Sequence, residues 1–335
     1  MKKNIQLCGF GNGLVDLQYT ITELELAELG LKKGDMTLVD SEQQSELLEK
    51  LSHITHNRCS GGSAANSIIA FAQLGGKSAY QTVLGNDDFG KFYAKEFSEL
   101  KIDLKSKFLN EYSTGTCIIL ITPDGERTMH TYLGATAYFR PEFVDEEVIK
   151  KSEWLYIEGY EFSQEDSTQS IFKAIKCAKE NNTKVALTFS ADFIISVFRD
   201  NLQKAAKEAD LVFCNESEAM NFTSTDNYES AFENLSAMCP NVVVTLGKNG
   251  AIYKWNEKTY YVPAYSGPVV DTTGAGDMFA GAFFFGIIND YSPILAGHLA
   301  SFASGRMVAQ FGARINDNMI DLKNKVYNEI IPNLK

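Results

Sequence analysis

Short apolar runs alternate with longer stretches of helical periodicity along much of the chain. In the C-terminal half the alternation is strict, and the apolar runs predict strands at 154–158, 184–189, 210–214 and 241–246. Repeated strand–helix units imply a mostly parallel sheet with helices on both faces. We therefore expect an α/β fold in three layers, with one sheet between two layers of helices.

Two segments depart from this alternation. Residues 17–42 combine short apolar runs with turn signals, and residues 116–122 and 127–133 predict the two strands of a hairpin. Strands without intervening helices do not fit a sheet covered on both faces, so we group these segments as a small β-sheet lid. The chain is then a single unit with a large core of about 1–14, 43–110 and 136–335 and a lid of about 15–42 and 112–135.

Composition narrows the range of partners. The 335 residues are 44% hydrophobic and carry a net charge of −12. This charge argues against a nucleic-acid partner, because a protein needs a positively charged surface to bind the phosphate backbone. No run approaches the ~20 apolar residues that a membrane span requires. The six cysteines form no CxxC pair and lie mostly in apolar stretches, as expected of reduced thiols. We expect a cytoplasmic protein that acts on a small molecule.

Residues 271–277, Asp-Thr-Thr-Gly-Ala-Gly-Asp, precede an apolar stretch that predicts a buried helix. The backbone N–H groups of Gly274, Ala275 and Gly276 can turn towards one point at the helix start, which is an anion site. Asp277 adds a carboxylate at the same point. Because a carboxylate would repel an anion that was merely bound there, we predict that Asp277 instead accepts a proton from a nucleophile that attacks the anion. The alternative is a glycine-rich helix cap with a chance aspartate.

Two other stretches suit hydroxyl recognition. Asp16 follows the end of the first predicted strand, and its carboxylate can accept both hydrogens of a vicinal diol, although it could also be a turn residue. Gly61 and Gly62 precede a predicted helix with Ser63 as its N-cap, and they allow a ligand to approach the backbone closely. Asn66 in the first turn suits a substrate hydroxyl; the alternative is a satisfied core asparagine.

Two stretches suit a nucleotide. Asn215 and Glu218 follow a strand end at positions i and i+3 of a helix start, where they could hold hydrated Mg²⁺ through water. Ordinary helix capping is the alternative, and the pair alone favours it. Thr245, Gly247 and Gly250 follow another strand, and the small residues there allow close backbone approach to a nucleotide.

Together these motifs resemble the ribokinase (PfkB) family of sugar and nucleoside kinases, and the resemblance covers essentially the whole chain. It implies a ribokinase-like fold and ATP-dependent phosphorylation of a primary alcohol, with Asp277 as the base. It also implies a monovalent cation, such as K⁺, near Asp271, Thr273 and Gly312. The motifs, in chain order, are GNGLVD ending at Asp16, GGSAAN at 61–66, NESE at 215–218, TLGKNG at 245–250 and DTTGAGD at 271–277.

Within that family the chain resembles adenosine kinases through residues 187–199 and 210–219. This resemblance implies that Asn12 belongs to the substrate loop and that Arg127 lies beside the transferred phosphoryl group, although Arg127 could equally be a solvated hairpin residue. Asp192 and Ala64 depart from the pattern and leave base specificity open. The resemblance also implies apolar contacts to a purine from Leu14, Leu38, Met129, Leu133 and Phe193.

The predicted reaction is transfer of the γ-phosphoryl group of ATP, with Mg²⁺, to the 5′-type hydroxyl of a nucleoside, with adenosine preferred. A sugar kinase acting on ribose or fructose is the alternative, because Asp16 would bind a diol in either substrate. A nucleoside-binding protein without catalysis on the same fold is a further alternative. Both a monomer and a homodimer formed through the lid are consistent with the sequence.

Overall fold

The computed structural model describes residues 3–34, 36–265, 267, 269–315 and 318–330. The strands in these ranges are β1 (Ile5–Phe10), β2 (Leu14–Thr20), β3 (Met36–Leu38), β4 (His56–Gly61), β5 (Ser78–Gly85), β6 (Asp103–Leu109), β7 (Gly115–Ile121), β8 (Arg127–Tyr132), β9 (Ser152–Glu158), β10 (Lys184–Thr188), β11 (Leu211–Asn215), β12 (Asn241–Thr245), β13 (Ala251–Trp255) and β14 (Lys258–Val262).

The α-helices are α1 (Glu23–Glu28), α2 (Ser41–Lys50), α3 (Ser63–Gln73), α4 (Asp88–Glu99), α5 (Glu146–Lys150), α6 (Glu165–Glu180), α7 (Asp192–Glu208), α8 (Glu216–Thr223), α9 (Tyr228–Met238), α10 (Ala275–Ile288), α11 (Pro293–Met307) and α12 (Met319–Lys325). Short 3₁₀ turns cover Gly134–Tyr138, Pro141–Phe143, Gly159–Ser163 and Gly247–Asn249, and a π turn covers Val326–Ile330. Among the described residues, no helix combines the length and the apolar character needed to cross a bilayer.

The large sheet has the order β14-β13-β12-β11-β10-β9-β1-β5-β6. The strands from β12 to β6 in this order are parallel, and β13 and β14 extend one edge in antiparallel fashion. Successive side chains of a strand point to opposite faces, so Tyr156 packs towards α3, α10 and α11, whereas Leu155 and Ile157 pack towards α6 and α7. The expected three-layer α/β fold is therefore confirmed.

The small sheet has the order β3-β8-β7-β2-β4 and contains the predicted hairpin as β7 and β8. Its edge strand β4 lies in the segment that we assigned to the core, so this part of the expected division was wrong. β4 has no alternation of apolar and polar residues, and it is held in the sheet by antiparallel pairing with β2, from Leu14 opposite Gly61 to Tyr19 opposite His56.

One face of the small sheet is covered by the chain itself. Val15, Leu17 and Tyr19 alternate along β2 and are fully or almost fully buried. They share a hydrophobic cluster with Leu26 of α1 and Leu47 of α2. The opposite face, which carries Leu14 and Asp16, lines a cavity.

Helices α3 and α10 pack closely and begin side by side. Gly281 of α10 lies directly against α3, where a Cβ atom at this position would overlap the carbonyl oxygen of Ser67 and come within 2.8 Å of the Ala70 Cβ. Because the helices share this contact, the polar residues of their first turns, Ser63 and Asn66 of α3 and Asp277 of α10, are brought together.

We expect Gly281→Ala to lower the free energy of unfolding by about 1–3 kcal/mol, because overpacking outweighs the better helix propensity of alanine. Urea unfolding of both proteins measures the difference. Gly276→Ala is the matched control: it lies in the same helix, a Cβ atom there would meet nothing within 4 Å, and stability should not fall. Equal stability of the Gly281→Ala variant and the parent would contradict the proposed packing constraint.

Candidate active site

A cavity of about 380 Å³ lies at the junction of the two sheets, beside the carboxyl ends of β9, β10 and β11. Six predicted site residues are outside its lining: Gly61, Arg127, Gly247, Gly250, Asp271 and Gly312. The predicted residues that line it are Asn12, Leu14, Asp16, Leu38, Gly62, Ser63, Asn66, Met129, Leu133, Phe193, Asn215, Glu218, Thr245, Thr273, Gly274, Ala275, Gly276 and Asp277.

The Asp277 carboxylate lies in the wall of this cavity, in the first turn of α10. The hydroxyl of Ser63 donates to its Oδ1 at 2.6 Å, and the amide of Asn66 donates to its Oδ2 at 3.1 Å. Burial raises the pKa of Asp277 to about 6, and the two hydrogen bonds act in the opposite direction. The N-cap of α3 is Gly62, not Ser63 as the sequence suggested, which leaves the Ser63 hydroxyl free to serve Asp277.

The backbone at the start of α10 forms a cup of N–H donors. Gly274 is the N-cap and adopts a left-handed conformation with φ of +77°. The N–H of Ala275 donates to the Thr272 carbonyl at 3.1 Å, so it does not point freely into the cavity as we expected. No acceptor in the described part of the chain takes the N–H groups of Gly274, Gly276 and Asp277, which leaves three donors at the positive end of the helix.

Asp16 projects from β2 into the same cavity. A Cβ atom on Gly61 would lie 2.5 Å from the Asp16 carboxylate, so glycine is needed at that position to make room. Burial raises the pKa of Asp16 to about 7, with the positive charges of Arg314 and Arg127 acting in the opposite direction. The role of Gly61 is thus to accommodate the acid, and Gly62 is the glycine that lines the cavity.

Glu158 is a site residue that the sequence analysis missed. Its buried carboxylate accepts the backbone N–H of Asn12 at 2.8 Å, the side-chain amide of Asn12 at 2.7 Å and the N–H of Ala64 at 2.7 Å. It therefore joins the loop after β1 to the start of α3, and burial raises its pKa to about 7. A charged residue at the carboxyl end of a buried strand was the signal that could have identified it.

One end of the cavity has an apolar wall. Phe193 and Leu38 remain 38% and 49% exposed and face the space from the core and the lid respectively. The ring of Phe193 lies 6.0 Å from that of Tyr160, measured between centroids. All five apolar positions expected to contact a purine line the cavity: Leu14, Leu38, Met129, Leu133 and Phe193.

The two departures from the adenosine kinase pattern have structural roles here. The Asp192 carboxylate accepts the Ser217 hydroxyl at 2.6 Å and the Asn221 amide at 3.1 Å, so it ties α7 to α8 outside the cavity lining. Ala64 contributes its backbone N–H to Glu158. Neither side chain therefore alters the apolar wall.

Asn215 and Glu218 form a reciprocal capping box and also line the cavity. The Asn215 side chain accepts the N–H of Glu218 at 2.9 Å, and the Glu218 carboxylate accepts the N–H of Asn215 at 3.1 Å. Burial raises the pKa of Glu218 to about 7. Thr245 lines the same region, whereas Gly250, with φ of +91°, packs tightly against the carbonyl of Val262 and serves the turn between β12 and β13.

The charged residues in the lining are all acidic. They are Asp16, Glu158, Glu218 and Asp277, and no lysine or arginine of the described chain joins them. Nor do the described residues contain a cluster of three or more side chains able to cage a metal ion. A phosphate chain in this cavity would depend on the N–H cup and on cations that it brings with it.

Comparisons with known proteins identify the family of this chain. The sequence profile of the pfkB family carbohydrate kinases matches residues 26–319, so the chain belongs to this family. It is therefore a kinase, a phosphotransferase with an alcohol group as acceptor, and members of this family use ATP with a metal ion.

Three relatives illustrate the match. Adenosine kinase of Saccharomyces cerevisiae is 30% identical over 298 residues, which cover 83% of this chain and 87% of that protein. The structure of a probable sugar kinase from Rhizobium etli has a TM-score of 0.89 and 30% identity, and the match covers 97% of this chain and 99% of that one. The structure of adenosine kinase from Sinorhizobium meliloti has a TM-score of 0.87 and 30% identity, with coverages of 96% and 99%.

If Asp277 accepts the proton, kcat/KM should fall in two steps on the acid side: near pH 7, where Asp16 takes a proton and loses an acceptor for the diol, and again below about 6, where protonation of Asp277 removes the base. Ser63→Ala removes a hydrogen bond that favours the ionised form of Asp277, so we expect the lower step to move to higher pH by about half a unit to one unit. Profiles of kcat/KM against pH measure the shift. Ser67→Ala is the matched control in the same helix, because Ser67 bonds the Ser63 carbonyl and not Asp277. An unmoved lower step in Ser63→Ala would contradict the assignment.

Proposed function

We propose that this kinase transfers the γ-phosphoryl group of ATP, with Mg²⁺, to the 5′-type primary hydroxyl of a nucleoside, with adenosine as the preferred acceptor. The observation that carries the proposal is the placement of Asp277 beside free N–H donors in a cavity that is also lined by a second acid, Asp16, and by apolar side chains. A nucleoside has all three matching parts: a primary hydroxyl, a vicinal diol and a flat apolar base.

In this mechanism Asp16 accepts the hydrogens of the diol and orients the sugar. The primary hydroxyl then lies between Asp277 and the phosphoryl group, and Asp277 takes its proton. In a loose transition state the hydroxyl loses its proton late, so a weak base with a pKa of about 6 is sufficient and positioning dominates. The N–H groups of Gly274, Gly276 and Asp277 stabilise the developing charge on the phosphoryl oxygens.

The acidic lining supports a requirement for Mg²⁺. Asn215 and Glu218 offer an amide and a carboxylate at the cavity wall, and they fit water-mediated contact with a hydrated ion better than direct coordination. Bound Mg²⁺ would neutralise phosphate charge that the four lining acids would otherwise repel. ATP without a divalent ion should therefore bind poorly.

The apolar wall favours a nucleoside over a free sugar. Ribose or fructose would satisfy Asp16 and Asp277 but would leave Phe193 and Leu38 without a partner. A purine fills that space and offers a flat face to an aromatic ring. A sugar substrate is the second candidate, since the Rhizobium etli structure is described as a probable sugar kinase.

The covered face of the small sheet argues against a dimer that pairs two lids by that face. Pairing two lids by that face would require α1 and α2 to move away from Leu17 and Tyr19.

We expect Asp277→Asn to lower kcat for adenosine by about 10²- to 10⁴-fold, because the amide cannot take the proton. Adenosine affinity, measured by calorimetry, should change little, since the amide has almost the same shape as the carboxylate. Formation of ADP from MgATP with adenosine, ribose and fructose gives the rates. Near-normal turnover in the variant would refute the base assignment, and faster phosphorylation of ribose or fructose than of adenosine would favour the sugar kinase.

Phe193→Ala should raise the KM for adenosine about 10- to 100-fold through loss of base stacking, while any activity on ribose stays unchanged. Val197→Ala is the matched control: Val197 is one turn further along α7, is 67% exposed and lies outside the cavity lining. Steady-state kinetics with both acceptors make the comparison. An equal loss with adenosine and ribose would show that Phe193 supports the fold rather than the base.

A further inference from the structure

Arg127 and Asp271 form a buried ion pair between the lid and the core. Their side chains are 6% and 2% exposed, and the Arg127 guanidinium contacts Asp271 Oδ2. The same oxygen accepts the N–H of Gly312 at 2.8 Å, and Oδ1 accepts the N–H of Thr273 at 3.0 Å. One guanidinium and two N–H donors thus surround this carboxylate, and Arg127 and Gly312 come from parts of the chain that are distant from Asp271.

This arrangement does not fit the monovalent cation expected near Asp271, Thr273 and Gly312. Asp271 Oδ2 already faces the guanidinium and the N–H of Gly312, and Oδ1 already accepts the N–H of Thr273, so the carboxylate has little free capacity to ligate a cation. The charge of Asp271 is already balanced by Arg127 at contact distance. A cation bound to the same carboxylate would also be repelled by the guanidinium, and the repulsion is strong where water is excluded.

We propose that Arg127 is the built-in counter-ion of Asp271, so that the kinase needs no monovalent cation. Measuring this inference through activity rests on the proposed function, whereas the contact between Arg127 and Asp271 does not depend on which substrate the kinase uses. Arg127 acts through Asp271 and is therefore a positioning residue. Asp271 accepts the N–H of Thr273, and Thr273 directly precedes Gly274, the first residue of the donor cup. The positive charge of Arg127, at the start of β8 in the lid, therefore stabilises the position of the loop at 271–273 that leads into the cup.

A competing role for Arg127 predicts something different. The contact between Nη2 and Oδ2 lacks the alignment of a hydrogen bond, and Nε is buried without an acceptor among the described residues. Those donors could instead reach a phosphoryl oxygen, as the family resemblance implies. In that case the loss of Arg127 would damage transfer in every salt, because no cation at Asp271 would replace a contact to the phosphoryl group.

The test compares the parent, Arg127→Met and the double variant Arg127→Met/Asp271→Asn in KCl, NaCl and choline chloride at constant ionic strength. We expect the parent rate to vary less than about twofold between salts. Arg127→Met should lose about tenfold or more in choline, because a buried carboxylate is left uncompensated, and should recover most of that loss in KCl. The double variant should show no recovery in KCl. Arg140→Met, which breaks an exposed pair with Asp166, is the matched control.

A second readout needs no catalysis. K⁺ should raise the melting temperature of Arg127→Met above its value in choline and leave the parent and the double variant unmoved, because only Arg127→Met combines an ionised Asp271 with the absence of a counter-ion. If adenosine and sugars are not phosphorylated at all, the proposed function fails, and this readout still decides the counter-ion.

Several-fold activation of the parent by K⁺ would overturn the proposal, since it requires a cation despite Arg127. Equal activity loss of Arg127→Met in all three salts, without a K⁺-dependent rise in melting temperature, would also overturn it and would favour the phosphoryl contact. If Arg127→Met does not fold, the salt response of the parent alone still tests the central claim.

Discussion

A carboxylate held between two helix starts is the constraint on which the proposed active site depends. Asp277 receives the Ser63 hydroxyl and the Asn66 amide, both from α3, while it sits in the first turn of α10. Burial favours its protonated form, and the two donors favour its ionised form. This balance between burial and hydrogen bonding suits a weak base that takes the proton late in the phosphoryl transfer. It requires both helices to start at the same place, which the close contact of Gly281 with α3 provides.

The cavity lies where the chain passes between the core and the lid, and acidic side chains organise those crossings. Glu158 fixes Asn12 just before β2 and Ala64 just after β4, so the two strands that leave and enter the lid are anchored by one carboxylate. Asp271 does the same for the loop before the donor cup through Arg127 of the lid. The Arg127–Asp271 contact thus links the position of the lid to the shape of the donor cup, and Glu158 links the lid to the start of α3.

Much of the fold could be predicted from the sequence, because the strand–helix alternation and the hairpin at 116–133 have strong local signals. The motif at 271–277 likewise predicted that Asp277 lies at the start of a buried helix, because small residues before a long apolar run are a local signal for a helix start. β4 was missed because pairing with β2, not hydrophobic alternation, makes it a strand. Glu158 and the Arg127–Asp271 pair were missed because their partners are distant in sequence. The Ala275 N–H was misassigned because a turn bond to Thr272 depends on the exact backbone path.

The most direct measurement is a crystal structure of the kinase with adenosine, Mg²⁺ and a non-hydrolysable ATP analogue. Our account predicts the 5′ oxygen within hydrogen-bond distance of an Asp277 carboxylate oxygen, about 2.6–3.2 Å, and the diol on Asp16. It also predicts the terminal phosphate oxygens on the N–H groups of Gly274, Gly276 and Asp277. A complex in which the 5′ oxygen lies far from Asp277, with another group positioned to take its proton, would contradict the account.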